Sequence, residues 1–284
     1  MTKANEIPKI IWFLWFQGLE KAPYIVKQCL KSWKKHNPEW QVIVLDENSI
    51  KEYIDIEKII SRNHPYLKIQ KISNIIRLNL LEKYGGVWAD ATCFCCKPLD
   101  TWLTSYMSES KFFAFYKPKI DRPISNFFLA SSVGSPITSA WCKEHNLFWL
   151  RNSFSNQNNW IGKYVKTKIG FRLLGSSYES NKFWFLYRLM KLLRVYPHFC
   201  CHYTFALIIK KYKLCQQEWE ALPKYSAESP LILSRKGLLE PLSEEVKQSI
   251  DQKKEPLYKL NWRMNQSRNI EGSILHYLLE SNND

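Results

Sequence analysis

Between Lys71 and Asp100 the chain reads KISNIIRLNLLEKYGGVWADATCFCCKPLD, and this stretch constrains the fold more than any other. Apolar residues at Ile69, Ile72, Ile75, Ile76, Leu80 and Leu81 recur at the three-and-four spacing of a helix with one buried stripe. Gly85 and Gly86 then close the helix, since glycine enters left-handed backbone without steric cost and lets the chain turn at once into a new element. That element, Val87–Asp90, is a short apolar run suited to a buried strand. Asn74 and Arg77, three apart, project from one helix face, where an amide and a fixed cation can meet one ligand. Asp90 falls at the strand exit, facing the crevice where α/β sheets bind ligands and suited to a hard cation such as Mg²⁺. The competing reading makes Asp90 a turn cap and Arg77 half of a surface ion pair.

The flanking sequence extends an α/β pattern. Ile7–Phe16 reads as a buried first strand leaving through Gln17 and Gly18, Pro23–Lys35 as a crossover helix, and Gln41–Leu45 as a second strand in a right-handed parallel unit. Asp46 ends that strand, and Ser49-Ile50-Lys51-Glu52 matches a capping box opening the next helix. The stretch from Ile54 to Tyr66 reads as partly helical with a break at Pro65. Phe112–Tyr116 and Asn126–Ser131 read as strands and Ile137–Leu150 as a helix. The polar run Ser153–Asn159 marks an internal boundary, dividing a core at 1–151 from a mainly helical lobe at 152–284, the two together forming one compact unit. Within that lobe Lys182–Cys215, rich in aromatic, leucine and basic residues, reads as two helices broken at Pro197. Such a surface either lies on an anionic bilayer or forms a core whose charged rows face water.

Composition narrows the partners. A formal charge of +15 over 284 residues draws polyanions, yet no zinc-finger spacing or RNA-recognition signature appears. A membrane face and diphosphate ligands fit better than nucleic acid. No stretch is long and apolar enough to span a membrane, which predicts a cytoplasmic chain, peripheral on the inner membrane face. The eight cysteines read as reduced, buried thiols, and Cys93, Cys95 and Cys96 lack the spacing of paired zinc ligands.

Ser73-Asn74-Ile75-Ile76-Arg77 followed by Gly85-Gly86-Val87-Trp88-Ala89-Asp90-Ala91-Thr92 resembles the capsular polysaccharide synthesis family of bacterial sugar transferases. That family is similar in turn to DXD-containing glycosyltransferases of the GT-A fold, including the mannosyltransferase-like family 32. The resemblance implies a GT-A-like, Rossmann-type sheet flanked by helices. It also implies transfer of a sugar from a nucleotide-diphosphate donor, a UDP-sugar, to a capsular, O-antigen or lipid-linked glycan, with retention as the lean. By the same resemblance Leu14, Trp15, Gln17, Gly18 and Asp46 contact the nucleotide, Asn74 the sugar hydroxyls and Arg77 the phosphate or the sugar, Gly86 belongs to the same donor-binding set, and Lys259 reaches the diphosphate, as Arg263 can. Asp90 and Arg77 carry catalysis. Mg²⁺ or Mn²⁺ is held by Asp90 with Thr92, and His202, in His202-Tyr203-Thr204-Phe205, joins as a candidate ligand.

Several alternatives stay open on the residues themselves. Trp15 either stacks on a base or fills the core, Asp46 either binds ribose or base or organises its loop, and Asn126 either touches acceptor or closes a turn. A lone histidine among aromatics such as His202 is more often a satisfied core residue. Two departures from the family pattern bear on chemistry: Asn74 stands where the family has an acidic residue, and Thr92 replaces the second DXD carboxylate. They keep alive a catalytically silent nucleotide-sugar binder and metal-independent transfer, while the charge keeps a nucleic-acid-binding alternative.

Overall fold

The computed structural model describes residues 6–60, 67–263 and 271–282. The first half forms a five-stranded mixed sheet in the order β2-β1-β3-β6-β5. β1 (Ile10–Leu14) lies between β2 (Gln41–Leu45) and β3 (Gly86–Asp90), parallel to both. A separate short strand, β4 (Cys93–Cys95), follows, and then the hairpin of β5 (Phe112–Lys119) and β6 (Arg122–Ser131), which is antiparallel to β3 through β6. The expected α/β sheet is present, with an antiparallel edge added to its parallel half.

Helices α1 (Tyr24–His36), α2 (Glu57–Ile60), α3 (Ile69–Tyr84), α4 (Leu103–Met107) and α5 (Pro136–Arg151) connect and cover these strands. The remaining chain is mainly helical: α6 (Trp160–Val165), α7 (Phe171–Leu174), α8 (Asn181–Leu192), α9 (Cys200–Lys211), α10 (Lys213–Ala221), α11 (Glu228–Lys236), α12 (Glu244–Asp251) and α13 (Ile274–Glu280), with one strand, β7 (Leu257–Lys259). The break at Pro197 falls between α8 and α9 as expected. The expected break at Pro65 lies outside the described residues.

Tryptophans fasten the layers. Trp12, Trp33 and Trp141 are fully buried, and their indole N–H groups donate to the carbonyls of Gly85 (2.9 Å), Cys93 (2.8 Å) and Cys201 (2.9 Å). Each bond meets the one polar need of a large apolar side chain, so burial brings no unsatisfied donor. All eight cysteines are free and buried.

α3 is the hinge between two apolar clusters. Ile72, Ile76 and Leu80 belong to the main core on the sheet, whereas Ile75 joins a second cluster with Phe148 and Trp149 of α5, Phe183 of α8 and Tyr203 of α9. The single apolar stripe expected from the sequence is therefore too narrow a description. Lys71, Asn74 and Arg77 are buried as well, on the face left between the two cores. α9 is likewise core along Cys200–Ala206, so the membrane-or-core alternative resolves to core for that helix. Exposed aromatic residues of the helical half include Trp160, Tyr164, Phe171 and Phe185.

Gly85 and Gly86 both have positive φ, 67° and 88°. A Cβ on Gly86 would lie 2.6 Å from the Ile10 carbonyl oxygen, and one on Gly85 would lie 2.9 Å from that of Ser131. The pair exists so that β3 can start hard against β1 and β6.

Candidate active site

A cleft of about 960 Å³ opens at the carboxyl ends of the parallel strands. β1 and β3 end side by side, with Leu14 paired to Asp90, so the loop carrying Trp15 and the carboxylate of Asp90 share one rim. α3 supplies the facing wall through Lys71, Asn74 and Arg77. The third wall comes from far along the chain. β7 pairs antiparallel with β4, setting Lys259 opposite Cys93, and the Leu260 N–H donates to the Thr92 carbonyl at 2.7 Å. Those backbone bonds deliver Lys259, Trp262 and Arg263 to the cleft.

Asp90 is the centre of an ion-pair triad. Its Oδ1 lies 3.1 Å from Arg77 Nη2 and accepts from the Trp88 indole at 2.9 Å, while its Oδ2 lies 3.3 Å from Lys259 Nζ. Lys259 Nζ also donates to Thr92 Oγ1, so one ammonium bridges the two residues expected to hold a metal. Burial opposes the Asp90 charge, but Arg77, Lys259 and the Trp88 indole outweigh it and hold the carboxyl below its ordinary value. Arg77 is itself fixed: it donates to Ser73 Oγ at 3.0 Å and to the Asn126 carbonyl, and its guanidinium sits 4.8 Å from the Trp88 ring centre. Asn126 in turn donates to Asn74 Oδ1 at 2.8 Å.

Among the expected site residues, the structure brings Leu14, Trp15, Gln17, Asn74, Arg77, Asp90, Thr92, His202 and Lys259 together around one cleft. Three others do not line it. Gly18 turns the chain after β1 with φ 83°. Gly86 is a backbone-packing residue, as above. Asp46 is committed to its own loop: Oδ1 accepts from the N–H groups of Asn48 (3.0 Å) and Ser49 (2.8 Å) and from Ser49 Oγ (2.9 Å). That arrangement also displaces the expected capping box, because Ser49 Oγ turns back to Asp46 and the following element is a single 3₁₀ turn, Ser49–Glu52.

The donor set does not fit a divalent cation. Asp90 is one carboxylate with two cations already on it, and Thr92 Oγ1 accepts from Lys259. Among the described residues no group of three His, Cys, Asp or Glu side chains is arranged to hold a metal. A divalent ion placed on Asp90 and Thr92 would meet the Lys259 ammonium at contact distance, where like charges repel strongly in a partly buried site. His202 lines the cleft, and its Nδ1 is buried with no hydrogen-bond partner. Burial first, then Arg122, Arg77 and Lys71, push it well below the ordinary histidine value, so it is neutral.

Sequence reasoning missed Trp262, which meets Trp15 edge-on with ring centres 5.5 Å apart, and Trp88, which underlies Arg77. It also missed Lys68, Lys71, Lys166 and His198 at the opposite end of the cleft. The signal for Lys71 was legible, since Lys71, Asn74 and Arg77 recur at intervals of three along one helix.

The chain belongs to the capsular polysaccharide synthesis protein family, whose model matches residues 1–191. Among curated proteins it is similar to glycosyltransferase afumC of Aspergillus fumigatus, 28% identical over 157 residues that make up 49% of this chain and 40% of that one. It is also similar to O-glycosyltransferase braB of Annulohypoxylon truncatum, 25% identical over 160 residues, 50% of this chain and 38% of that one. The chain thus spans about two fifths of the length of these relatives, and both are fungal, where the sequence resemblance had pointed to bacteria. Among solved structures, the PaToxG glycosyltransferase aligns over 97% of this chain and 86% of its own at 13% identity, with a TM-score of 0.41.

Proposed function

We propose that this chain is a glycosyltransferase that takes a nucleoside-diphosphate sugar as donor. The observation that carries the reading is the convergence of Arg77 and Lys259 on Asp90 at the end of β3, within a cleft edged by Trp15 and Trp262. Two fixed cations beside a strand end suit the charge that accumulates on a departing nucleoside diphosphate. Asp90 holds both cations in place between turnovers. Trp15 and Trp262 offer faces for the base, and Asn74, Asn126 and Ser73 offer amide and hydroxyl groups to the sugar. Relatives that carry the glycosyltransferase name support the reaction class. In this reading Lys259 and Arg77 do for the diphosphate what a metal does in DXD enzymes, and the helical lobe at 152–284 receives a glycan or lipid-linked acceptor at an anionic membrane surface. Among the described residues no helix is long and apolar enough to cross a membrane.

The test is thermal stabilisation by a panel of nucleoside diphosphates in EDTA and in Mn²⁺, on the native chain and on Lys259→Met. One nucleotide should raise the melting temperature equally in both buffers, and the variant should lose the shift. Absence of any shift refutes the donor reading. A shift that requires Mn²⁺ returns the site to metal coordination.

A further inference from the structure

Six residues before Arg77, about 9 Å along α3, the cleft reaches a second concentration of positive charge around Lys71. Lys71 is 7% exposed, its ammonium donates to the His198 carbonyl, and it stands 5.7 Å from the Tyr196 ring centre. Lys166 donates to the Gln157 carbonyl at 2.5 Å, and Lys68 precedes α3. Among the described residues none of these three lysines has a carboxylate within ion-pair distance. The first turn of α3 also lacks an acidic residue, so the positive end of the helix adds to the lysines. Arg122 lies near but is spoken for, 3.3 Å from Asp121 and stacked on Phe199.

A nearly buried ammonium with only a carbonyl and an aromatic face for company is costly unless an anion joins it. The neighbouring surface adds a second property. Lys166 follows directly on α6 and precedes α7, and these helices expose Trp160 (77%), Tyr164 (57%) and Phe171 (68%). Lys166 lines the cleft while the rings, on the helices that flank it in the chain, lie outside the lining, and lysines joined by so short a segment to exposed rings match a phosphate head joined to an apolar tail.

We infer that the Lys71, Lys166 and Lys68 end of the cleft binds a phosphate monoester or diphosphate carried by the acceptor, separate from the donor diphosphate at Arg77 and Lys259. The inference rests on the donor reading above for the second half of that statement. The neutral amides of Asn74 and Asn126 lie between the two ends, where the transferred sugar would be handed across.

The test uses the full chain and titration calorimetry with three probes: dodecyl phosphate in neutral maltoside micelles, inorganic phosphate, and UDP. Dodecyl phosphate should bind, at least tenfold more weakly to Lys71→Met and Lys166→Met, and saturating UDP should change its affinity by less than twofold. The same variants should bind UDP within twofold of the native chain. Inorganic phosphate binding with the same lysine dependence and equal affinity supports the phosphate site with a soluble source. Competition between UDP and dodecyl phosphate, or a tenfold loss of UDP affinity in the lysine variants, overturns the inference, because the lysines then belong to the donor. So does phosphate binding indifferent to these lysines, or none at all. Lys166→Met and Lys68→Met alter exposed side chains and keep the test decisive even if Lys71→Met fails to fold. Lysine-dependent phosphate binding without any nucleotide binding leaves this site standing and removes the donor reading.

Discussion

The two ends of the cleft hold positive charge in opposite ways. At the Asp90 end, Arg77 and Lys259 share one carboxylate, with the Trp88 ring under Arg77 and the Thr92 hydroxyl accepting from Lys259, so each cation has a fixed position before any ligand arrives. At the Lys71 end the ammonium groups rest on backbone carbonyls, with no carboxylate among the described residues. The first arrangement favours geometry and stability, the second favours affinity for an anion, and one helix carries both.

The comparison breaks most visibly at Asp90. Asp90→Ala leaves Arg77, whose side chain is 6% exposed, without its counter-charge, and urea unfolding should show a loss on the order of 3–5 kcal/mol. The variant, if folded, should still bind nucleoside diphosphate in EDTA, since both cations become free for it; loss of that metal-free binding by the folded variant would show that the cations need Asp90 to hold them in place for the diphosphate. Lys259→Met should weaken nucleoside diphosphate binding by about 1.5–3 kcal/mol, the range for a charge-assisted hydrogen bond, measured by calorimetry. An unchanged affinity would separate Lys259 from the donor. Trp262→Ala removes a half-exposed ring at the donor end and should reduce nucleotide affinity by about 0.5–1.5 kcal/mol without affecting phosphate binding at the other end. The smallest effect concerns acid. His198 at the lysine end is pushed down to about 4 by burial and by Lys71, Arg122, Lys68 and Lys166. Between pH 6.5 and 4 the unfolded chain therefore binds more protons than the folded one, and stability falls as pH falls through that window. His198→Asn should flatten the decline by a fraction of a kcal/mol per pH unit, discounted because the ring is only partly buried. A steeper decline in the variant would contradict the assignment.

The buried His145 shows how such neutrality is built. Its Nε2 accepts from the Trp149 indole at 3.1 Å, so Nδ1 carries the proton and donates to Thr204 Oγ1 at 3.2 Å. Burial, then Lys71 and Arg77, lower this ring to about 3.

Much of the fold was legible because the local signals were strong. Gln41–Leu45 matched its strand residue for residue, and α3 began and ended close to where its apolar period did. The place of Asp90 at the carboxyl end of its strand followed from that period and the double glycine, whereas the parallel pairing of that strand with β1 had no local signal. What the sequence hid was long-range. Nothing near Lys259 reveals that β7 pairs with β4, and the family match ends at residue 191, before Lys259, Trp262 and Arg263. Asp46 and Gly86 misled for a different reason: a carboxylate and a glycine at strand ends have the same local pattern whether they serve a ligand or the backbone. Only the distances distinguish them, as the bonds from Asn48 and Ser49 to Asp46 and the approach of Ile10 to Gly86 show.

The pairing of β4 with β7 also imposes an order in time. Thr92 and Lys259 are separated by 167 residues, so at about 5–20 residues per second the ribosome needs roughly 8–30 s to supply the last wall after the first. During that interval the chain lacks the second cationic partner of Asp90, the strand that pairs with β4 and the ring that meets Trp15. Until the last segment emerges, the core on the sheet also lacks Leu257, Tyr258 and Ile274, so the cleft and the core are completed by the same late stretch of chain.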